Sequence, residues 1–413
     1  MIILVLNCGS SSLKFQFIDT DATKIARNED AFLAKGTLER IGTQALISIK
    51  VPERDRYHTA LPLRNHKDAI DFVLRWVLSD EAKIPGIASL SDISAVGHRI
   101  VHGGENFSAS TLINRDVVKG IQACCEMAPL HNPANLLGIQ AVTDLLGDTV
   151  PQVAVFDTAF HAEMPESAFL YALPYQYYAR YKVRRYGFHG SSHRYVSERY
   201  RQITGKSFTD TNIITIHLGN GCSACAIKAG KSMDTSMGFT PTEGLAMGTR
   251  SGDVDPAILE FLHHKEGFTF SELNRVLNRE SGLTGLSGMT NDMRELVYEM
   301  EHNHDRRATL AIDVFCHRAR KYIGAYLAVL NGCDAIVFTG GIGENNITIR
   351  KRILENLESL GIKMDPQKNG ACGSSDCEIS TPDSKIALYV IPTNEELVIA
   401  RDTFACVTAA LAQ

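Results

Sequence analysis

Short apolar runs that break on glycine recur along this chain. The first, Ile2-Ile3-Leu4-Val5-Leu6, enters the polar turn Asn7-Cys8-Gly9-Ser10-Ser11-Ser12-Leu13-Lys14 and leaves through Phe15-Gln16-Phe17-Ile18. Crowded β-branched and aromatic residues on both sides of a glycine predict two buried strands joined by a turn. Ala45 to Ile49 reads as a third strand. From His66 to Leu78 the apolar positions Ile70, Val73, Leu74, Val77 and Leu78 follow the stripe of an amphipathic helix. Ser94 to Val101 predicts a strand that ends in His102-Gly103-Gly104. Val117 to Met127 predicts a helix, Pro129 to Pro133 a break, and Ala134 to Leu146 a second helix. Val153 to Phe156 is a short buried strand that delivers Asp157 to its end.

The pattern then starts again. Ile213 to Ile216 runs into His217-Leu218-Gly219-Asn220-Gly221 and on to Ala224 to Lys228, so Gly9 and Gly219 occupy matching places about half the chain apart. Ala335 to Phe338 leads into Thr339-Gly340-Gly341-Ile342-Gly343-Glu344-Asn345, an echo of the strand before Asp157. The repetition predicts two copies of one αβ unit. Asp255-Pro256 reads as the N-cap and first turn of a helix through His264, Arg307 to Leu330 as a long helix, and Asn369 to Asp383 as a surface loop.

Composition narrows this picture. At 413 residues the chain exceeds one ordinary core, so two domains are expected. Its 44% hydrophobic and 22% charged residues are those of a soluble globular protein, and a net charge of -5 argues against a general nucleic-acid binder. The first apolar run lacks a basic flank, and no apolar stretch is long enough to span a bilayer. No secretory signal, no membrane association and a cytoplasmic location are therefore expected. The ten cysteines are scattered, and Cys222 and Cys225 have no second C-x-x-C to complete a zinc site, which predicts reduced core thiols.

Three glycine-bearing turns, Asn7 to Lys14, His217 to Gly221 and Gly340 to Asn345, each follow a predicted buried strand. Glycine lets backbone N–H groups approach phosphate oxygens closely, so three such turns in a repeated chain point to a polyphosphate. None matches the P-loop or the dinucleotide fingerprint. Polar residues stand where packing does not ask for them: Arg99 in a strand, His189 between Gly187 and Gly190, and Arg250 between Gly248 and Gly252. Arginine in a glycine-rich loop suits an oxyanion clamp. His193 follows His189 at i+4, a spacing shared by metal pairs, but without H-E-x-x-H a hydrogen bond to phosphate is the better use of His189. Asp157 and Glu395 are candidates for holding magnesium or for orienting an arginine, and one of Glu395 and the adjacent Glu396 is expected to be solvated surface. Asn291-Asp292-Met293-Arg294 opens a helix and suits either a cap or a ribose and base contact.

These segments, together with His98 to Gly104, Phe156 to His161, Tyr186 to Gly190, Met233 to Asp255 and Pro392 to Leu397, resemble the acetate and propionate kinase family of the sugar kinase, heat-shock chaperone and actin superfamily. The resemblance covers nearly the whole chain. It implies an α/β fold of two duplicated RNase H-like (actin-like ATPase) domains with an active-site cleft between them. Residues 1–158 with the returning segment 396–413 would form one domain. Residues 159–395 would form the other, which binds nucleotide and dimerises. The implied reaction is reversible in-line transfer of the γ-phosphoryl group of ATP to acetate, giving acetyl phosphate and ADP, with Mg²⁺ (or Mn²⁺) as cofactor. Asn7 and Glu395 would place the metal, and Lys14 would sit near the phosphates. His217, Leu218, Gly219, Asn220 and Gly221 would form a phosphate loop. Asp292, Met293 and Arg294, with Gly340, Gly341, Ile342, Gly343 and Glu344, would hold the adenosine. Arg99 would bind the carboxylate, Asp157 would act as acid/base or orient the arginines, and His189 and Arg250 would stabilise the transition state. Val101, Leu130, Phe188 and Pro241 would line an apolar acyl pocket. A homodimer is implied, with no nucleic-acid partner. Propionate or another short-chain acid is the nearest alternative substrate, and a non-enzymatic nucleotide switch is the alternative class.

Overall fold

The structure is a computed structural model that describes residues 1–373 and 375–412. The chain divides into two compact units. One comprises Met1–Ala159 and the C-terminal segment from Asn394; the other is Phe160–Thr393.

The first unit is built on an eight-stranded sheet. Its strands are β1 (Ile2–Cys8), β2 (Ser12–Asp19), β3 (Ala31–Glu39), β4 (Gln44–Lys50), β5 (Tyr57–Pro62), β6 (Ile93–Ile100), β7 (Thr111–Leu112) and β8 (Gln152–Phe156). Their order is β5-β4-β3-β2-β1-β6-β8-β7. The meander β1–β5 is antiparallel, whereas β6 pairs parallel to β1 and β8 parallel to β6. The central strands are buried along nearly their whole length, which is why they read as continuous apolar runs. Helices α1 (His66–Val77) and α2 (Asn132–Leu146) pack on one another. The C-terminal helix Glu395–Leu411 lies across β1, β6 and β8. It comes close because Gly97 has no side chain: a Cβ there would sit 2.4 Å from Thr403 Oγ1 and 2.7 Å from Ile399.

The second unit repeats the plan. Its strands are β9 (Asn212–Leu218), β10 (Cys222–Lys228), β11 (Lys231–Thr235), β12 (Ala335–Thr339), β13 (Cys377–Glu378) and β14 (Ala387–Val390), in the order β11-β10-β9-β12-β14-β13. As in the first unit, an antiparallel meander (β9–β11) is extended by two parallel strands, β12 on β9 and β14 on β12, and closed by a short antiparallel edge. Strand for strand, β1, β2, β3, β6 and β8 correspond to β9, β10, β11, β12 and β14. Helix α3 (Gly190–Thr204) packs on β9, and the long α4 (Arg306–Leu330) packs on β9 and β10.

Several expectations need correction. Ala45 to Ile49 lies in the fourth strand, because β3 precedes it, and β5 follows unannounced. The helix after Asp255 starts at Ala257 with Pro256 at its cap, although Asp255 Oδ1 still accepts from the Ala257 N–H at 2.9 Å. Asn369 to Asp383 is not simply a loop. It contains the end of helix Pro366–Ala371 and strand β13, and it carries a disulfide between Cys372 and Cys377, where reduced thiols were expected. The other eight cysteines are free, and Cys222 and Cys225 are buried thiols.

Candidate active site

In the first unit the chemistry gathers at the carboxyl ends of three neighbouring strands, where parallel sheets commonly place ligand sites. Asn7 is the last residue but one of β1, Arg99 stands near the end of β6, and Asp157 directly follows β8, its N–H donating to Ile100 O at 2.9 Å. Arg99 grips Asp157 with two hydrogen bonds, Nε to Oδ1 at 3.0 Å and an Nη to Oδ2 at 2.6 Å. Its other Nη donates to Asn7 Oδ1 at 3.3 Å. Glu395, brought in by the first turn of the C-terminal helix, lies 3.7 Å from Arg99 Nε. Two-pronged contact between guanidinium and carboxylate is the strong form of an ion pair, and it fixes the plane of the arginine. Burial works against the charged guanidinium, but Asp157 and Glu395 more than offset it and hold Arg99 protonated. Glu395 is affected in the opposite sense. Burial, and then the Asp157 and Glu396 carboxylates, push its carboxyl up to about 7 despite Arg99 and Lys14.

The first turn is braced from two sides. Gly9 N donates to Ser12 O at 2.8 Å, and His66 Nε2 donates to Gly9 O at 2.7 Å. Asn135, buried in α2, ties the turn to the Arg99 strand: its Nδ2 donates to Cys8 O at 2.9 Å, and its Oδ1 accepts from Val101 N at 3.2 Å. Lys14, opposite Asn7 in the β1–β2 register, is exposed. Val101 is buried, while Leu130 stands exposed before α2.

In the second unit a network of imidazoles and hydroxyls occupies the corresponding place. His217 and Ser223 face one another across the β9–β10 hairpin. His189 sits just before α3 with φ +57°, a left-handed conformation that a non-glycine residue holds only under constraint and that concentrates at functional sites. Its ring stacks on His217 with centroids 4.3 Å apart. His189 Nδ1 is 2.8 Å from Ser223 Oγ, which is 2.8 Å from His193 Nε2, and His193 Nδ1 is 2.7 Å from Thr215 Oγ1. Ser192 Oγ is 2.8 Å from His217 Nδ1. Burial, and then the neighbouring rings of His161 and His217, push the pKa of His193 well below its ordinary value. Arg250 reaches the same point. A Cβ added to Gly221 would lie 3.4 Å from His189 Nε2 and 3.5 Å from an Arg250 Nη, so both side chains come up against this glycine.

The loop that carries Arg250 and Pro241 is tied down by groups that sequence reading passed over. Arg185 donates to the carbonyls of Thr235, Ser236 and Met237 and to Glu243, and Tyr171 also donates to Glu243. Asp253 accepts from Gly244 N and from Tyr322 Oη. Phe188 is buried and its carbonyl accepts from His161 Nε2.

The expected nucleotide residues also converge. Asn220 Oδ1 accepts from Asn291 Nδ2 at 2.9 Å, and Asn220 O accepts from Gly248 N. Asp292 caps the helix Met293–His302 and holds Arg294 by two hydrogen bonds, while Met293 is buried. Gly340, at φ +75°, packs against the end of β9, where a Cβ would be 2.7 Å from Leu218 O. Glu344 turns back to accept from Gly340 N and Thr393 N. Gly341 and Ile342 are accessible and Gly343 is buried. Arg350, fully buried, holds this segment by donating to the carbonyls of Gly343 and Glu344 and to Asn369.

The buried polar groups missed by sequence reading had a visible signal. Asn132 and Asn135 lie on the apolar side of a helix, and Thr215 and Ser223 interrupt apolar strands. Among the described residues no group of three or more His, Cys, Asp or Glu side chains is arranged to hold a metal ion. Nor is any described helix long and apolar enough to cross a membrane.

The Acetokinase family profile matches residues 2–401. The acetate kinase of Chloroherpeton thalassium is 54% identical over 413 residues, covering 98% of this chain and 99% of that protein. Among solved structures, Porphyromonas gingivalis acetate kinase superposes with a TM-score of 0.91 at 43% identity, covering 98% of this chain and 99% of the other. A propionate kinase from Francisella tularensis gives 0.88 at 42% identity, covering 97% and 98%. Matches of this extent span both units and every segment that carries the charged cluster and the imidazole network, and the chain therefore belongs to the Acetokinase family.

Proposed function

We propose that the protein transfers the γ-phosphoryl group of ATP to acetate, giving acetyl phosphate and ADP, and catalyses the reverse. The observation that carries the transfer chemistry is the placement of both His189 and Arg250 against Gly221, in a turn of the kind that admits phosphate. The choice of acetate rests on the relatives named acetate kinase.

A carboxylate with a pKa of about 4 to 5, the range of Asp and Glu side chains, is already a nucleophile at neutral pH, so its attack needs no general base. Catalysis then reduces to alignment and to stabilising charge on the moving phosphoryl group. Arg99, its plane fixed by Asp157, is assigned to the acetate carboxylate. The orienting role of Asp157 is supported by the commitment of both its oxygens to Arg99. His189 and Arg250 donate to the phosphoryl oxygens. Val101, Leu130, Phe188 and Pro241 are assigned to the acyl pocket, and Lys14 with the His217–Gly221 turn to the phosphates. Asp292 to Arg294 and Gly340 to Glu344 are assigned to adenosine.

Asn7 and Glu395 are the residues that would hold Mg²⁺. Their oxygens are the right donors for a hard cation, and a divalent charge held there would offset the burial that raises the Glu395 carboxyl. Magnesium is commonly held by one or two carboxylates plus substrate phosphates rather than by a full protein cage. When bound, it would neutralise phosphate charge. Cytoplasmic location and a homodimer through the second unit belong to the same reading. Exposed Ile258, Phe261 and Phe270 support the homodimer, which sedimentation would test.

Incubating the protein with Mg-ATP and acetate, propionate or butyrate, and trapping acyl phosphate with hydroxylamine, tests the proposal. Acetyl hydroxamate should dominate. Dominant propionyl product would favour the second reading, which the propionate kinase superposition supports. No product with any acid would overturn both.

A further inference from the structure

Ser223 and His193 lie behind His189, one and two hydrogen bonds removed from its ring. Thr215, His193, Ser223 and His189 form a series of contacts at 2.7 to 2.8 Å. Thr215, Ser223 and His193 are fully buried. In such a series each hydroxyl has one hydrogen to give and each neutral imidazole donates from one nitrogen and accepts at the other. If Ser223 gives its hydrogen to His189, it must accept from His193 Nε2–H. His193 Nδ1 then accepts from Thr215. If every bond is reversed, His193 Nδ1 donates to Thr215 instead.

The two directions are not equivalent at the Thr215 end. Its hydroxyl has no other hydrogen-bond partner among the described residues. In the reversed direction its hydrogen would be buried without an acceptor, which costs about 1–3 kcal/mol. In the forward direction only a lone pair goes unused. We propose that Thr215, His193 and Ser223 form a one-way hydrogen-bond chain that fixes His189 as the Nε2–H tautomer, which makes His193 and Ser223 positioning residues for phosphoryl transfer. The role in transfer rests on the kinase reading; the tautomer assignment does not. An anionic phosphoryl oxygen needs a donor at Nε2, and the chain supplies it before substrate arrives, so no reorganisation is required during reaction. Low-dielectric burial strengthens each bond in the series.

The direct test is long-range ¹H–¹⁵N NMR of the full chain with ¹⁵N-labelled histidine at neutral pH, the His189 and His193 signals being assigned from the His189→Gln and His193→Gln variants. Both rings should be Nε2–H tautomers. Either ring found mainly as Nδ1–H, or His189 found as imidazolium, would overturn the proposal. Ser223→Ala should turn His189 into a tautomer mixture and lower kcat on the order of tenfold to hundredfold, with the KM for ATP changed less than about twofold. Ser223→Thr, which keeps the hydroxyl, should restore the tautomer. An unchanged His189 tautomer with unchanged kcat in Ser223→Ala would overturn the proposal. If the wild type had no kinase activity at all, the wild-type NMR result would still decide the tautomer.

Discussion

The same strand ends do opposite electrostatic work in the two units. Where β1, β6 and β8 end, the first unit gathers full charges: Arg99 clasped to Asp157, with Glu395 close by. Where the matching β9 ends, the second unit gathers His217, His189, His193, Ser192 and Ser223, a network held by hydroxyls, with Arg250 beside it. A charged cluster suits ligands whose charge is constant, a carboxylate and a divalent cation. A network of oriented donors suits charge that moves during the reaction, because it can be set in advance without the desolvation that a buried ion pair entails. Under the proposed function, equivalent positions of the duplicated fold would serve different ends, the first copy holding carboxylate and cation and the second acting on the moving phosphoryl group.

The contrast can be broken most severely at Arg99. Arg99→Leu leaves Asp157 buried without its partner and should lower stability by about 3–5 kcal/mol in urea unfolding. The double variant with Asp157→Leu should recover most of that loss while remaining unable to saturate with acetate. Full recovery of acetate binding would remove Arg99 from the substrate site. On the other side, Arg250→Ala should lower kcat on the order of 10² to 10³ with little effect on stability, by analogy with a lost oxyanion donor. Wild-type kcat at saturating substrates would end its clamp role.

Acid tests the buried titratable groups of both units. Burial lowers His98, in the first unit, and His161, in the second, to about 4. The unfolded chain takes up these protons near 6.5 and the folded chain only near 4. Their contribution is therefore present above 6.5 and is lost as pH falls towards 4, on the order of a few kcal/mol each. Glu395 runs the other way: its folded carboxyl keeps a proton that the unfolded one has released, so its contribution fades as pH rises from about 4.5 through 7. Unfolding measured between pH 4.5 and 7 should show rising stability. It should rise less steeply in His98→Gln and more steeply in Glu395→Gln; unchanged slopes would reject these assignments. The smallest effect is expected at Val101. Val101→Ala should favour propionate over acetate by about 1–3 kcal/mol in relative kcat/KM. No change would take Val101 out of the acyl pocket.

Much of this plan could be read from the chain alone, for a physical reason. Strands β1, β6, β9 and β12 are buried on both faces, so their apolar runs are continuous and their glycine turns stand out. Strand β3 escaped because its register shifts opposite Phe17 and Ile18, which spoils the alternation. Strand β5 escaped because it is an edge with little buried surface. Arg99 was legible as a charge interrupting a buried strand, and His189 and Arg250 as donors placed among glycines. His193 was not: at i+4 from His189 it resembles a metal pair, and only the approach of Thr215 and Ser223 from two strands shows its actual partners. The brace of Arg185, Tyr171 and Glu243 joins segments far apart in sequence, and local pattern carries no trace of it.

The most direct measurement is stereochemical. If acetate attacks the γ-phosphorus of ATP without a protein nucleophile, ATP made chiral at that phosphorus with oxygen isotopes must yield acetyl phosphate of inverted configuration. Inversion is the predicted result; retention, the mark of two successive displacements through a phosphorylated side chain, would contradict the account.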